Sequence, residues 1–110
     1  INYLLSLLGF RRDLGCVAAG RPRNPGWKKL SKLLKDEYPF CQCCDEPTTV
    51  IHHCVPFHVS PELELDETNL IALCDACHLR IGHGCNFRCW LPDCRRLAGT
   101  IRAAIAARSE

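Results

Sequence analysis

Cys41-x-x-Cys44 and Cys74-x-x-Cys77 are two pairs of thiols at a spacing that lets each pair converge on one ion. Two such pairs complete a tetrahedral shell, with zinc–sulfur bonds of about 2.3 Å. Four protein ligands leave no open position, so a zinc bound this way is structural. The stretch 45–73 between the pairs exceeds the about 15–20 residues of a simple zinc ribbon and must contain structure of its own. Cys43 offers a competing Cys-x-Cys arrangement, but Cys-x-x-Cys is the commoner geometry. Cys54 lies in an apolar, strand-like stretch and reads as a small core residue. Cys85, Cys89 and Cys94 lack a Cys-x-x-Cys pair; a second metal or disulfide cluster is the alternative to ordinary packing there.

All five histidines (His52, His53, His58, His78 and His83) fall in one segment around these thiols. Neighbours on a strand point to opposite faces, so His52 and His53 are expected to do different work, one toward a metal ion and one toward substrate. His78 directly follows Cys77, so a bound zinc fixes where its helix starts and where its imidazole points. A neutral imidazole can take a proton from water, because its pKa lies near the working pH. A divalent ion beside such a base is what hydrolysis of a phosphate ester requires. His58 and His83 line the site, bind the ion or hydrogen-bond in loops.

The elements that must position these groups are legible around them. Residues 1–20 are apolar and then punctuated by glycine, and read as a short helix or the end of a missing element. Residues 21–25 form a basic, turn-rich linker. Asn24 is expected to cap a helix with Pro25 at its first position, and Trp27, Leu30, Leu33 and Leu34 repeat at helical spacing before Pro39 stops it. The stretch 48–55 reads as a strand, 56–68 as an acidic loop and 70–73 as a short buried strand. Asp75 is expected to cap a short helix ended by Gly82 or Gly84. Pro92 and Asp93 open a last helix, with Leu97, Ile101 and Ile105 as its apolar stripe. Trp27 and Trp90 read as core residues.

The bulk numbers agree with a small stapled domain. A chain of 110 residues fits one domain and is short of core, so a metal or disulfide staple is expected. Ten cysteines without a visible secretory signal point to metal in an intracellular, cytoplasmic setting. No apolar run approaches the about 20 residues needed to span a bilayer, so no membrane partner is expected. The chain has no methionine and is expected to be a fragment or a processed product. The net charge of +2 hides a pattern. Residues 1–40 hold eight Lys/Arg against three acids, 41–77 hold seven acids and no Lys/Arg, and 78–110 hold six Arg against two acids. Basic flanks around an acidic centre suit a phosphate backbone around a bound cation; ordinary solvated helix faces give the same count.

His52-His53-Cys-Val-Pro56, then Asn69-Leu70, then Leu73-Cys74-x-x-Cys77-His78 resembles the HNH endonuclease motif. The likeness covers roughly residues 21–96 and extends to a branch with Pro56-Phe57-His58-x-x-Pro61-Glu62-Leu63-Glu64-Leu65-Asp66 and Gly82-His83-x-x-Asn86. It implies an α+β fold: a small, zinc-stabilised ββα-metal (HNH/His-Me finger) domain flanked by helices. Residues 1–20 would be an N-terminal apolar segment, and 21–110 the nuclease domain with its C-terminal helix. The family implies that His53 is the general base and that His52 and His78 bind the catalytic ion, with His83 a further candidate ligand. Asn69 would pin the loop that orients His53, and Cys41, Cys44, Cys74 and Cys77 would bind structural zinc. Many relatives carry an acid at position 52. Imidazole there shifts metal preference toward Zn, Ni, Co or Mn, without excluding Mg.

The expected function is therefore metal-dependent endonucleolytic hydrolysis of DNA, most simply double-stranded, leaving a 5′ phosphate. Arg21, Arg23, Lys28, Lys29, Arg80 and Arg88 are candidates for sequence-independent phosphate contacts. The alternative is a zinc-knotted module that binds nucleic acid or protein without cutting. A third reading, c-type haem attachment at Cys74-x-x-Cys77-His78, leaves Cys41 and Cys44 unused and finds no methionine as axial ligand.

Overall fold

The computed structural model describes residues 11–12, 23–86 and 89–108. Its elements run β1 (Arg11–Arg12), α1 (Trp27–Glu37), β2 (Val50–His53), β3 (Leu70–Leu73), a helical turn α2 (Asp75–Cys77) that widens into a π-helical turn (His78–Gly82), β4 (Cys89–Trp90) and α3 (Cys94–Arg108). The expected small α+β architecture with a strand–loop–strand–helix centre is present. The reading of residues 1–20 as a helix or element end lies outside the described residues, except that Arg11 and Arg12 pair antiparallel with Trp90 and Cys89.

The central hairpin pairs β2 with β3 antiparallel, Val50 opposite Leu73 and His53 opposite Leu70. Its two faces bury separate cores. Ile71 and Leu73 join the cysteines, Ile81 and Ala98, with Leu97 and Ile101 of α3 packed alongside. Leu70, Ala72 and Ile51 take the other face against Leu34, Leu30 and Trp27 of α1. The period-2 alternation of a strand thus sends His52 toward the cysteine side and His53 toward α1.

Several boundaries shift for identifiable reasons. Asn24 does not cap α1 directly. Its Oδ1 accepts from Gly26 N–H at 2.8 Å, an Asx turn, and the helix begins at Trp27. Leu33 is 54% exposed, since it lies off the Trp27–Leu30–Leu34 stripe. Cys74, not Asp75, caps α2, its Sγ accepting from Cys77 N–H at 3.5 Å. On α3, Ile105 is 43% exposed, so the buried stripe ends at Ile101. The loop 56–68 contains a 3₁₀ turn at Pro61–Leu63, and a second spans Glu67–Asn69. No helix among the described residues is long and apolar enough to cross a membrane.

Candidate active site and metal centres

Cys41, Cys44, Cys74 and Cys77 meet as one set, with Sγ of Cys44 3.6 Å from Sγ of Cys74. The turn after the first pair positions it: Asp45 N–H donates to Cys41 O at 3.0 Å and Asp45 adopts a left-handed backbone with φ of 68°. Backbone N–H groups also point at the sulfurs, as thiolate ligands need; Cys43 N–H lies 3.4 Å from Cys41 Sγ. Burial raises the Cys41 thiol, but nearby N–H groups of Cys44, Cys74 and Cys43 outweigh it and leave it below its ordinary value. Cys77 is pushed strongly upward by burial and by the thiols of Cys44 and Cys74. One set containing both a favoured and a strongly disfavoured thiolate is what a divalent cation would reconcile. Cys43 is buried in the core beside this set rather than in it, which resolves the competing Cys-x-Cys arrangement.

A second set joins His52, His78 and His83, whose ligand atoms, like those of the four thiols, lie within 4.8 Å of one another. The three rings meet edge to face at centroid distances of 4.8–5.1 Å. His83 Nδ1 lies 2.7 Å from Cys89 O. A carbonyl can only accept, so Nδ1 carries the proton and the lone pair of a neutral ring sits on Nε2. That Nε2 lies 3.1 Å from His78 Nε2. Two imidazole nitrogens on one ion, each at about 2.0–2.1 Å, are about 3 Å apart. His52 Nε2 is buried without a hydrogen-bond partner, a costly state that a metal ligand escapes. Burial, and then the neighbouring His78, His83 and His53 imidazoles, lower the His52 pKa to about 3. His78 and His83 are lowered too, by burial first. All three are therefore neutral near pH 7, the form that binds metal. These residues fit a transition-metal ion with open positions left for water or substrate.

His53 sits across the strand from that set yet lines the same groove, a cavity of about 510 Å³ that also contains Arg23, Trp27 and Lys35. Its ring packs on Trp27 at a centroid distance of 4.4 Å. His53 Nε2 lies 3.0 Å from Glu64 O. The same carbonyl argument puts the proton on Nε2 and leaves Nδ1 as an unprotonated base. Burial lowers the His53 pKa, with the Glu64 carbonyl opposing and Arg23 adding to the effect.

Asn69 is buried and ties the loop shut. Val55 N–H donates to its Oδ1 at 2.8 Å, and its Nδ2 donates to Val55 O at 3.1 Å and to Leu63 O at 3.4 Å. The loop carrying the Glu64 carbonyl is thereby fixed against the end of β2. Glu64 itself is only 4% exposed, and its carboxylate accepts from Arg23 Nε at 2.6 Å and from Asn24 N–H at 2.9 Å. The Arg23 guanidinium lies 4.5 Å from the Phe57 ring centroid and 5.3 Å from that of Trp27.

Of the other residues singled out by sequence, Lys28, Lys29 and Arg80 are exposed and do not line this groove. Arg21 and Arg88 lie outside the described residues. Lys35 faces the groove in their place, two helical turns from Trp27. Cys85, Cys89 and Cys94 do not form one cluster: Cys85 is exposed at a left-handed turn (φ of 65°), whereas Cys94 meets Cys54. The sequence offered His83 only as a further candidate ligand and named Glu64 and Gly82 without a role in the site. Glu64 resembles every other acid in its loop, and only the fold reveals its burial. The signal for His83 was present in Gly82-His83, a glycine beside a histidine just past the helix that carries His78.

No curated protein and no solved structure matches this chain. The HNH endonuclease family model matches residues 41–84, a stretch that includes all four zinc-type thiols, the His52–His53 pair, Asn69, His78 and His83. Over residues 41–84, the chain is similar to the HNH endonuclease family.

Proposed function

We propose that this domain is a metal-dependent endonuclease that hydrolyses phosphodiester bonds in double-stranded DNA. The observation that carries the reading is the 3.0 Å contact of His53 Nε2 with the Glu64 carbonyl: the carbonyl can only accept, which leaves Nδ1 of the neutral ring as the base. That base shares a groove with three neutral imidazoles.

His53 takes the proton of the attacking water at Nδ1, and the water adds to phosphorus in line. His52, His78 and His83 would hold a divalent ion, which would supply positive charge against the scissile phosphate and the departing 3′ oxygen. Asn69 keeps the loop carbonyl in place and thus the His53 ring in register. Arg23 spends its Nε on Glu64 and keeps the rest of a half-exposed guanidinium for phosphate. Lys35 adds a second cation on the groove wall, while Arg21, Lys28, Lys29, Arg80 and Arg88 serve the outlying backbone. Cys41, Cys44, Cys74 and Cys77 would hold a zinc ion that would fix α2 and hence the direction of His78. Three imidazole ligands favour Mn, Co, Ni or Zn at the catalytic position over Mg.

The test is nicking of supercoiled DNA by the zinc-loaded protein with each of these ions and with chelator. Nicking that yields 5′ phosphates and disappears in His53→Ala, with zinc content unchanged, is the expected result. DNA binding without cutting under every ion would identify a binding module instead.

A further inference from the structure

Beyond the two metal-ligand sets, a further pair of reactive side chains meets inside the molecule. Cys54 follows His53 at the end of β2, and Cys94 opens α3. Their Sγ atoms are 3.0 Å apart, and both thiols are free. Two thiolates sharing one tetrahedral zinc stand about 3.8 Å apart, given bonds of about 2.3 Å. The 3.6 Å between Cys44 and Cys74 is of that order. The Cys54–Cys94 contact is shorter, and among the described residues neither belongs to a group of three or more metal-binding side chains. The Cys94 thiol donates a hydrogen bond to Cys54 Sγ at this distance, and a covalent bond needs the two sulfurs to approach by only about 1 Å more.

We propose that Cys54 and Cys94 form an oxidisable dithiol, a redox modification site whose closure to a disulfide staples α3 to the end of β2. Hydrogen peroxide is an oxidant small enough to reach it, through Cys54 at 5% exposure rather than Cys94 at 0%. The Cys54 thiolate attacks one peroxide oxygen, giving a sulfenic acid and hydroxide. Cys94 sulfur then attacks the Cys54 sulfur, the S–S bond forms, and the oxygen leaves as water. Two thiols and one peroxide give one disulfide and two waters. The bond closes a loop between residues 40 apart in sequence, which constrains the unfolded chain. α3 is otherwise tied to the zinc turn through Arg102, which donates to Asp45 Oδ1 at 2.5 Å and to Cys41 O at 3.3 Å. A disulfide would keep α3 docked after the zinc has gone, whether or not the groove cuts DNA.

The zinc-loaded chain is exposed to dilute peroxide, its remaining thiols are alkylated, and it is digested and mapped by mass without reduction. The expected map contains one linked peptide pair joining residues 54 and 94, lighter by two hydrogens than the sum of its parts, with zinc content unchanged. The oxidised protein should unfold at a higher temperature in chelator than the reduced protein, and reductant should reverse the gain. Cys94→Ala should lose both the link and the gain. Alkylation of residues 54 and 94 after treatment, their separate overoxidation, or a link from either to a zinc-set cysteine overturns the proposal. The map is read on the unaltered chain, so it decides the matter even if the variant does not fold.

Discussion

Gly82 lies against the face of the His52 ring: a Cβ at position 82 would stand 3.0 Å from both Cε1 and Nε2 of His52. The π-helical turn that ends at Gly82 therefore approaches β2 as closely as it does only because residue 82 has no side chain. The same turn carries His78 and delivers His83, so the approach sets the geometry of the whole imidazole set. Gly82→Ala should displace the His52 ring and weaken metal binding at the three imidazoles by about 10-fold or more, the scale for disturbing what orients a ligand. Metal analysis checks this, with four-thiol zinc stoichiometry as the internal control. Undiminished binding of Co or Mn by the variant would refute the role given to Gly82.

Glu64 links three parts of the site through one residue. Its carbonyl fixes His53, and its buried carboxylate fixes Arg23 and the segment before α1. Glu64→Gln keeps the backbone and most of the shape but removes the charge. The cost should be about 1–3 kcal/mol, the range for breaking a buried charge-assisted hydrogen bond, discounted because Arg23 is half-exposed. Urea unfolding measures the loss. Tighter DNA binding at low salt with a steeper salt dependence should accompany it, because a negative charge is removed and the guanidinium is released to phosphate.

Removing any one of the four thiols should be far more damaging than removing an imidazole. Cys77→Ser removes one thiol of the four-cysteine set at α2, directly before His78. Structural zinc supplies folding free energy outright, so the variant should lose its cooperative thermal transition. Strong chelation of the reduced wild-type chain should have the same effect. His78→Ala should instead keep the transition and lose only the second ion, a contrast that calorimetry and metal analysis read together.

Acid should destabilise the fold through its imidazoles. The His52 pKa is about 3 in the fold against an ordinary 6.5, and those of His53, His78 and His83 are lowered as well. Between these values the unfolded chain binds more protons than the folded one, so stability rises with pH across that window. The contribution is fully present above about 6.5 and is lost as pH falls toward 3. Urea midpoints at pH 7.5 and 5, taken with the imidazole set free of metal, should fall with acid. His52→Gln should show a smaller drop, and equal drops in both proteins would assign the effect to the thiolate zinc instead.

The local chemistry of this chain is written in its residue types and spacings. Paired Cys-x-x-Cys dictates a four-thiol set, adjacent His52 and His53 on a β-branched stretch dictate opposite faces, and Asn69 ahead of an apolar run marks the second strand. These are short-range facts, fixed by ligand geometry and by the two-residue period of a strand. Tertiary structure decided which distant groups meet. His83 joined His52 and His78 because the helix widened into a π turn and Gly82 let it close on β2. Glu64 became the anchor of His53 because its loop folded inward, and Cys54 met Cys94 because α3 packed back on the hairpin. Such pairings depend on how whole elements pack, and no window of sequence carries that information.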